Sequence, residues 1–91
     1  MPLTVEFYGI PRQRAGLASL SLRDEERPAT LGQLWDRLGK QFPDFRDYCV
    51  EGNTLSRHCT ANLDGQRFVA DPETPLAEAA LVLVMSSDAG G

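Results

Sequence analysis

The residues best placed to do chemistry stand at the end of the chain. Ser86-Ser87-Asp88-Ala89-Gly90-Gly91 has no bulky side chain, follows an apolar stretch without an intervening turn, and stops at a glycine pair. Small polar residues of this kind suit a frayed end. They also suit the presentation of a carboxylate. Six extended residues reach roughly 20 Å at about 3.3–3.6 Å per residue. Glycine has no Cβ and passes where a partner's walls close on the backbone. A carboxylate itself is a poor electrophile. Adenylation by ATP turns it into a mixed anhydride, which a sulfur nucleophile can attack to leave a thiocarboxylate or thioester on Gly91.

The other reactive side chains form no comparable set. Cys49 and Cys59 lie ten positions apart, with the single histidine, His58, beside the second. A structural zinc wants four ligands at close, recurring spacings, so no metal site is expected. A disulfide between the two cysteines is open to the sequence, but a reducing compartment favours two thiols behaving as small buried hydrophobes. Neighbours on a strand point to opposite faces, so His58 is badly placed to activate Cys59. The carboxylates are scattered, and no catalytic residue is expected.

Composition narrows the rest. Ninety-one residues make one small domain, and 42 % hydrophobic residues argue against disorder. Thirteen acids against nine bases give a net charge of −4. Nucleic acid is therefore not an expected partner, because phosphate binding needs clustered Lys and Arg. The overall negative charge instead suits encounter with a basic partner surface. The longest apolar run, residues 79–85, is too short for a bilayer, which takes about twenty residues as a helix. Residues 1–6 show no basic start and no long apolar stretch, so no signal peptide is expected and the cytoplasm is the expected compartment.

The elements that must carry the tail are legible in parts. Residues 3–8 alternate apolar and polar, as in a half-buried strand. Residues 12–16 are polar and turn-like, and residues 17–22 alternate again, so the two strands read as an antiparallel hairpin. Thr30 with Gln33 forms a capping box, Ala29 and Leu34 take staple positions, and Leu31, Leu34, Trp35, Leu38 and Phe42 make one apolar helical face. Pro43 stops that helix. Residues 44–57 show no clear period, and turns with one short helical turn are expected there. Residues 59–63 read as a strand, Asp64-Gly65 as a tight hairpin turn, and residues 67–69 as the return strand. Residues 76–79 could make one helical turn. Residues 81–85 are apolar throughout, as in a central strand covered on both faces. The expected architecture is α+β, one helix across a mixed sheet of four or five strands. The last strand lies between the first and the third and parallel to the first. Residues 1–85 would form the domain and 86–91 a flexible tail.

In this order the pieces resemble the ubiquitin-like sulfur carriers of the MoaD/ThiS family. These are β-grasp proteins that include the molybdopterin-synthase small subunit and the thiamine-pathway carrier. The resemblance rests on Val5-Glu6-Phe7-Tyr8-Gly9 with Arg12 and Gly16, on Thr30-Leu31-Gly32-Gln33-Leu34 through Phe42-Pro43, on Ala61-Asn62-Leu63-Asp64-Gly65, on Thr74-Pro75-Leu76, and on Gly90-Gly91. Each piece is weakly specific alone; their order, closed by the glycine pair, is specific. The insertion over residues 44–57 looks most like the subgroup that serves an alternative cysteine synthesis route. The sequence departs from the family at Glu78-Ala79-Ala80, where a Gly-Asp pair is usual, and at Ser86-Ser87, where the molybdopterin subgroup has two prolines.

The resemblance implies that Gly91 carries the sulfur and that Gly90, with Ala89 and Asp88, enters a partner's channel. Met85 would lie against that partner or pack in the core. Tyr8 and Phe68 would lie on an open sheet face, as a binding patch or as half-buried sheet residues. The implied partners are an E1-like adenylating enzyme using ATP and magnesium, then a sulfur-accepting synthase. The resemblance also implies a carrier that binds no cofactor and is not itself an enzyme. The acceptor could belong to cysteine, molybdopterin, thiamine or secondary-metabolite synthesis. The same fold and tail also suit a protein modifier joined through Gly91 to lysines; Lys40 is the chain's only lysine. A plain interaction domain with an inert tail is the third possibility.

Overall fold

A computed structural model describes residues 1–87. Five strands form one mixed sheet in the order β2-β1-β7-β5-β6: β1 (Leu3–Phe7), β2 (Ser19–Leu22), β5 (Cys59–Leu63), β6 (Arg67–Val69) and β7 (Leu81–Ser86). A separate two-stranded ribbon pairs β3 (Val50–Glu51) with β4 (Thr54–Leu55). The helices are α1 (Ile10–Ala15), α2 (Leu31–Gln41) and α3 (Pro43–Cys49), with a 3₁₀ turn over Asp24–Glu26. β7 is central, parallel to β1 and antiparallel to β5, as the sequence predicts. This is a ubiquitin-like β-grasp.

Alternation sorts the sheet into two faces. Leu3, Val5 and Phe7 on β1, Val82 and Val84 on β7, and Ala61, Leu63 and Val69 on the β5–β6 hairpin point under the helices and are buried. α2 covers them with Leu31, Leu34, Trp35 and Leu38, none more than 1 % exposed. Truncating any of these four would cost about 2–5 kcal/mol. Phe45 from α3 closes the core edge-on against Phe7, with ring centroids 5.6 Å apart. The helices lie on one face only. Leu81, Leu83 and Met85 on the other face are therefore half-buried, and the expectation that β7 is covered on both faces is wrong.

Several local expectations also change. The turn-like stretch after β1 is α1, with Pro11 in its first turn and Gly16 ending it in the left-handed region at φ 81°. α2 ends at Gln41, ahead of Pro43, but Pro43 is itself the first residue of the seven-residue α3, so residues 44–57 hold the rest of that helix and a small hairpin. At the start of α2, the Thr30 hydroxyl accepts from the Gln33 N–H at 3.3 Å. The Gln33 side chain accepts from Ala29 rather than from Thr30, at 3.0 Å. Ala29 is exposed and makes no staple with buried Leu34. Residues 76–79 form a single hydrogen-bonded turn, Ala79 N–H to Leu76 C=O at 3.1 Å, and not a helix. At Glu78-Ala79-Ala80, where the MoaD/ThiS carriers usually have a Gly-Asp pair, the Asp64 carboxylate accepts from both Ala80 N–H (2.9 Å) and Leu81 N–H (3.0 Å) and fixes the start of β7. Asp64 and Gly65 both take positive φ, 58° and 71°, at the centre of the tight turn that the Gln66 N–H closes onto Leu63 C=O at 3.0 Å, and Leu63 pairs with Arg67 across the three-residue connection.

Candidate functional site

β7 continues one residue past Met85. Ser86 is still in register with Cys59 across the ladder. Its hydroxyl accepts from the Ile10 N–H at 3.3 Å, at the start of α1. Gly9, with φ 67° and ψ −135°, makes room for it: a Cβ there would sit 3.1 Å from Ser86 Oγ. On the other side, the Ser87 N–H donates to His58 C=O at 2.9 Å and its hydroxyl donates to Arg57 C=O at 2.5 Å. The strand's end is thus collared by α1 and by the 56–58 loop. Gly91, Gly90, Ala89 and Asp88, the residues expected to carry sulfur and enter a partner, lie outside the described residues.

The open sheet face adjoins this collar. The three remaining site candidates share it by alternation: Met85 opposite Thr60, Phe68 opposite Asn62, and Tyr8 beyond the end of β1. Phe68 is 67 % exposed and Tyr8 48 %, while Met85 is half-buried. Leu81 and Leu83 join them and were not singled out from the sequence, although the apolar run contained them. The Tyr8 hydroxyl donates to the Glu6 carboxylate at 2.6 Å. That hydrogen bond is the main cause of a phenol pKa raised above its ordinary value. Asn62 lies within this face, 8 % exposed, and its Oδ1 finds no hydrogen-bond partner among the described residues.

Around the collar the side chains stack. The His58 ring lies against Tyr48 at 4.8 Å and 18°, and the Arg14 guanidinium carbon sits 4.8 Å from the Tyr48 ring centroid. Cys59, next to His58, is buried instead against Cys49. The hydrogen bond between the two thiols, with burial second, pushes the Cys49 pKa far up and keeps it un-ionised. Neither cysteine is in a disulfide. Among the described residues no group of three or more His, Cys, Asp or Glu side chains is arranged to hold a metal. None of their helices is long and apolar enough to cross a membrane. Two grooves of about 310 and 330 Å³ flank α2 beside the β3–β4 hairpin, and the first mixes Asp36, Lys40 and Arg46.

The fold has close structural counterparts. The solution structure of the Haloferax volcanii HVO 2177 protein superposes with a TM-score of 0.75 at 24 % identity, over 100 % of this chain and 87 % of that one. The crystal structure of SAMP1 from Haloferax volcanii gives 0.75 at 15 % identity over the whole of both chains. A crystal structure of H. volcanii small archaeal modifier protein 1 gives 0.64 at 16 % identity over 93 % of each. At these identities the likeness is one of fold. No protein-family model and no curated protein matches the chain.

Proposed function

We propose that this protein is a ubiquitin-like sulfur carrier whose Gly91 carboxylate is the working group. An adenylating enzyme attacks ATP with that carboxylate, forming the acyl-adenylate and releasing pyrophosphate. A sulfide nucleophile then attacks the acyl carbon, AMP leaves, and a thiocarboxylate remains for a sulfur-accepting synthase. The carrier acts as co-substrate and performs no catalysis of its own. The observation that supports this most is the collar. The central strand, parallel to β1, is held through Ser87 at the domain's edge, directly before Asp88-Ala89-Gly90-Gly91.

In this reading the open face docks the activating enzyme. Phe68 and Tyr8 supply exposed aromatic area on either side of the half-buried Leu81-Leu83-Met85 row. Exposed apolar side chains gathered on one face, with Thr60 and Asn62 of β5 set between the β7 row and Phe68, fit a protein partner. ATP and magnesium belong to the enzyme, and the reaction takes place in the cytoplasm. The test is ATP–pyrophosphate exchange with the purified adenylating enzyme of the same host. Exchange that depends on the carrier and disappears on deleting Gly91 supports the reading. Exchange that survives the deletion overturns it.

A second reading, conjugation to other proteins through Gly91, is favoured by the name of one structural neighbour, small archaeal modifier protein 1. Purification under denaturing conditions separates the two. A ladder of covalent adducts supports the modifier, and its absence alongside thiocarboxylate supports the carrier. Lys40, exposed and 3.1 Å from Asp36, would be the side chain available for self-conjugation.

A further inference from the structure

The net charge of −4 suggests a basic partner, but most of the basic residues that make no ion pair among the described residues gather at the tail-bearing end. Five of the nine basic residues are ion-paired: Arg23 and Arg37 with Glu26, Arg27 with Asp24, Lys40 with Asp36 and Arg46 with Asp47. Among the described residues the other four, Arg12, Arg14, Arg57 and Arg67, make no ion pair. Three of these four belong to the collar. Arg12 and Arg14 stand on α1, which Ser86 touches, and Arg57 lends its carbonyl to Ser87.

Which charge a partner feels is a question of distance. The Debye length is about 8 Å at physiological ionic strength. The molecule extends 34 × 26 × 23 Å. Acids at the far end of the sheet, such as Asp64 and Glu78, are therefore screened from a surface that meets the collar. On the collar's own elements, α1 and the 56–58 loop carry no acid. α3 carries Asp47, engaged by Arg46 at 3.7 Å, and Asp44.

The stack defines the chemistry further. Arg14 lies over Tyr48, and Tyr48 is backed by His58. Stacking occupies the flat face of a guanidinium and leaves its N–H edges pointing outward. Those edges fit a carboxylate with two parallel hydrogen bonds. The packed rings also hold the group in place before binding, which lowers the ordering cost.

We propose that Arg12, Arg14 and Arg57, braced by the Tyr48–His58 stack, form a docking platform for an acidic protein surface. That surface of Asp and Glu side chains rims the channel of the enzyme that takes the tail. The proposal rests on the carrier reading above, because only a partner that takes the tail must approach this end.

The test is the same exchange assay, read as the KM for carrier. The double reversal Arg14→Glu with Arg57→Glu is compared with the full-length protein and with Arg67→Glu, a reversal on β6 away from the collar. The platform predicts a KM raised about tenfold or more in the double reversal with kcat kept. It predicts a wild-type KM that rises with salt and an Arg67→Glu protein that behaves as wild type. If the double reversal fails to fold by circular dichroism, Arg57→Glu alone, whose side chain lies outside the stack, is expected to raise KM by a few-fold. A KM unchanged in the folded reversals, or a rise shared equally by Arg67→Glu, overturns the platform and leaves the carrier reading standing. Absence of Gly91-dependent exchange in the unaltered protein overturns both.

Discussion

Gly9→Ala isolates how the end of β7 is held. Gly9 sits at φ 67° and ψ −135°, a conformation that side-chain-bearing residues adopt at a cost of about 1–3 kcal/mol. The new Cβ would lie 3.1 Å from Ser86 Oγ, so Ser86 must give way by a few tenths of an ångström. Ser86 Oγ is also the acceptor for Ile10 N–H at 3.3 Å, and weakening that bond costs up to about 1 kcal/mol. Lower entropy of the unfolded chain offsets about 0.4–1 kcal/mol. The net loss is about 1–3 kcal/mol. In a domain of this size, at about 4–8 °C per kcal/mol, thermal melting should fall by about 5–20 °C. Gly16→Ala is the control: φ is 81°, but nothing lies within 4 Å of the added Cβ, so only the backbone cost of about 1–2 kcal/mol applies. In a Ser86→Ala background, Gly9→Ala should cost about 0.5–1 kcal/mol less than in the wild type. Melting is followed by circular dichroism. An unchanged or raised Tm refutes the strain argument, and an equal cost in both backgrounds refutes the contact with Ser86.

Other perturbations test other parts. Gly32→Ala should destabilise, because its Cβ would meet Pro72 at 3.0 Å and the Asn53 carbonyl at 3.2 Å. Gly39→Ala faces only the flexible Arg46 side chain and should gain part of the roughly 0.8–1 kcal/mol helix preference of alanine, both read by denaturant melts. Asn62→Val removes a buried acceptor that has no partner among the described residues, so Tm should rise or hold; a fall of several degrees would show that the amide is satisfied. Both cysteines should react with maleimide only as the domain opens, because Cys49 is buried and its thiol pKa is pushed up; labelling of the folded protein at the rate of a free thiol would contradict this. The Arg23 N–H, then the charges of Arg23 and Arg37, lower the Glu26 pKa against a smaller burial penalty. Its contribution is therefore complete above the unfolded-state value of about 4.3 and is lost as pH falls through the folded value. Glu26→Gln should flatten the acid side of the Tm–pH curve, and a curve identical to wild type would contradict it.

Most of the architecture was legible because its signals are local. The alternation of β1, the Asp64-Gly65 turn, the Thr30 cap and the apolar run of β7 each occupy a few adjacent residues. The central placement of β7 followed from its unbroken apolar character, and its parallel direction from the helical crossover between the two halves of the sheet. That same apolar signal misled about its coverage, because one face is open and half-buried rather than enclosed. One helix, α1, was missed and another, α3, was expected only as one short helical turn, both for one reason. α1 and α3 each hold a proline in their first turn, at Pro11 and Pro43, and each is under two full turns long. A proline reads as a stop, yet at the first helical positions it costs nothing and sets φ. A helix so short shows too little periodicity to correct that reading. Tyr8 and Phe68 were legible as open-face candidates, whereas the sequence does not decide for Met85 between that face and the core, because residues 81–85 are apolar at every position and show no alternation. The Arg14–Tyr48–His58 stack was not legible, since its three members come from three elements that meet only in the folded chain.

The central claim is that Gly91 carries sulfur. The most direct measurement is high-resolution intact mass of the protein purified from its own host, beside a Gly91-deleted control. The account predicts a fraction in which one oxygen is replaced by one sulfur, absent from the control. A plain carboxylate at every stage, even after incubation with ATP, a sulfide source and the host's adenylating enzyme, would contradict it.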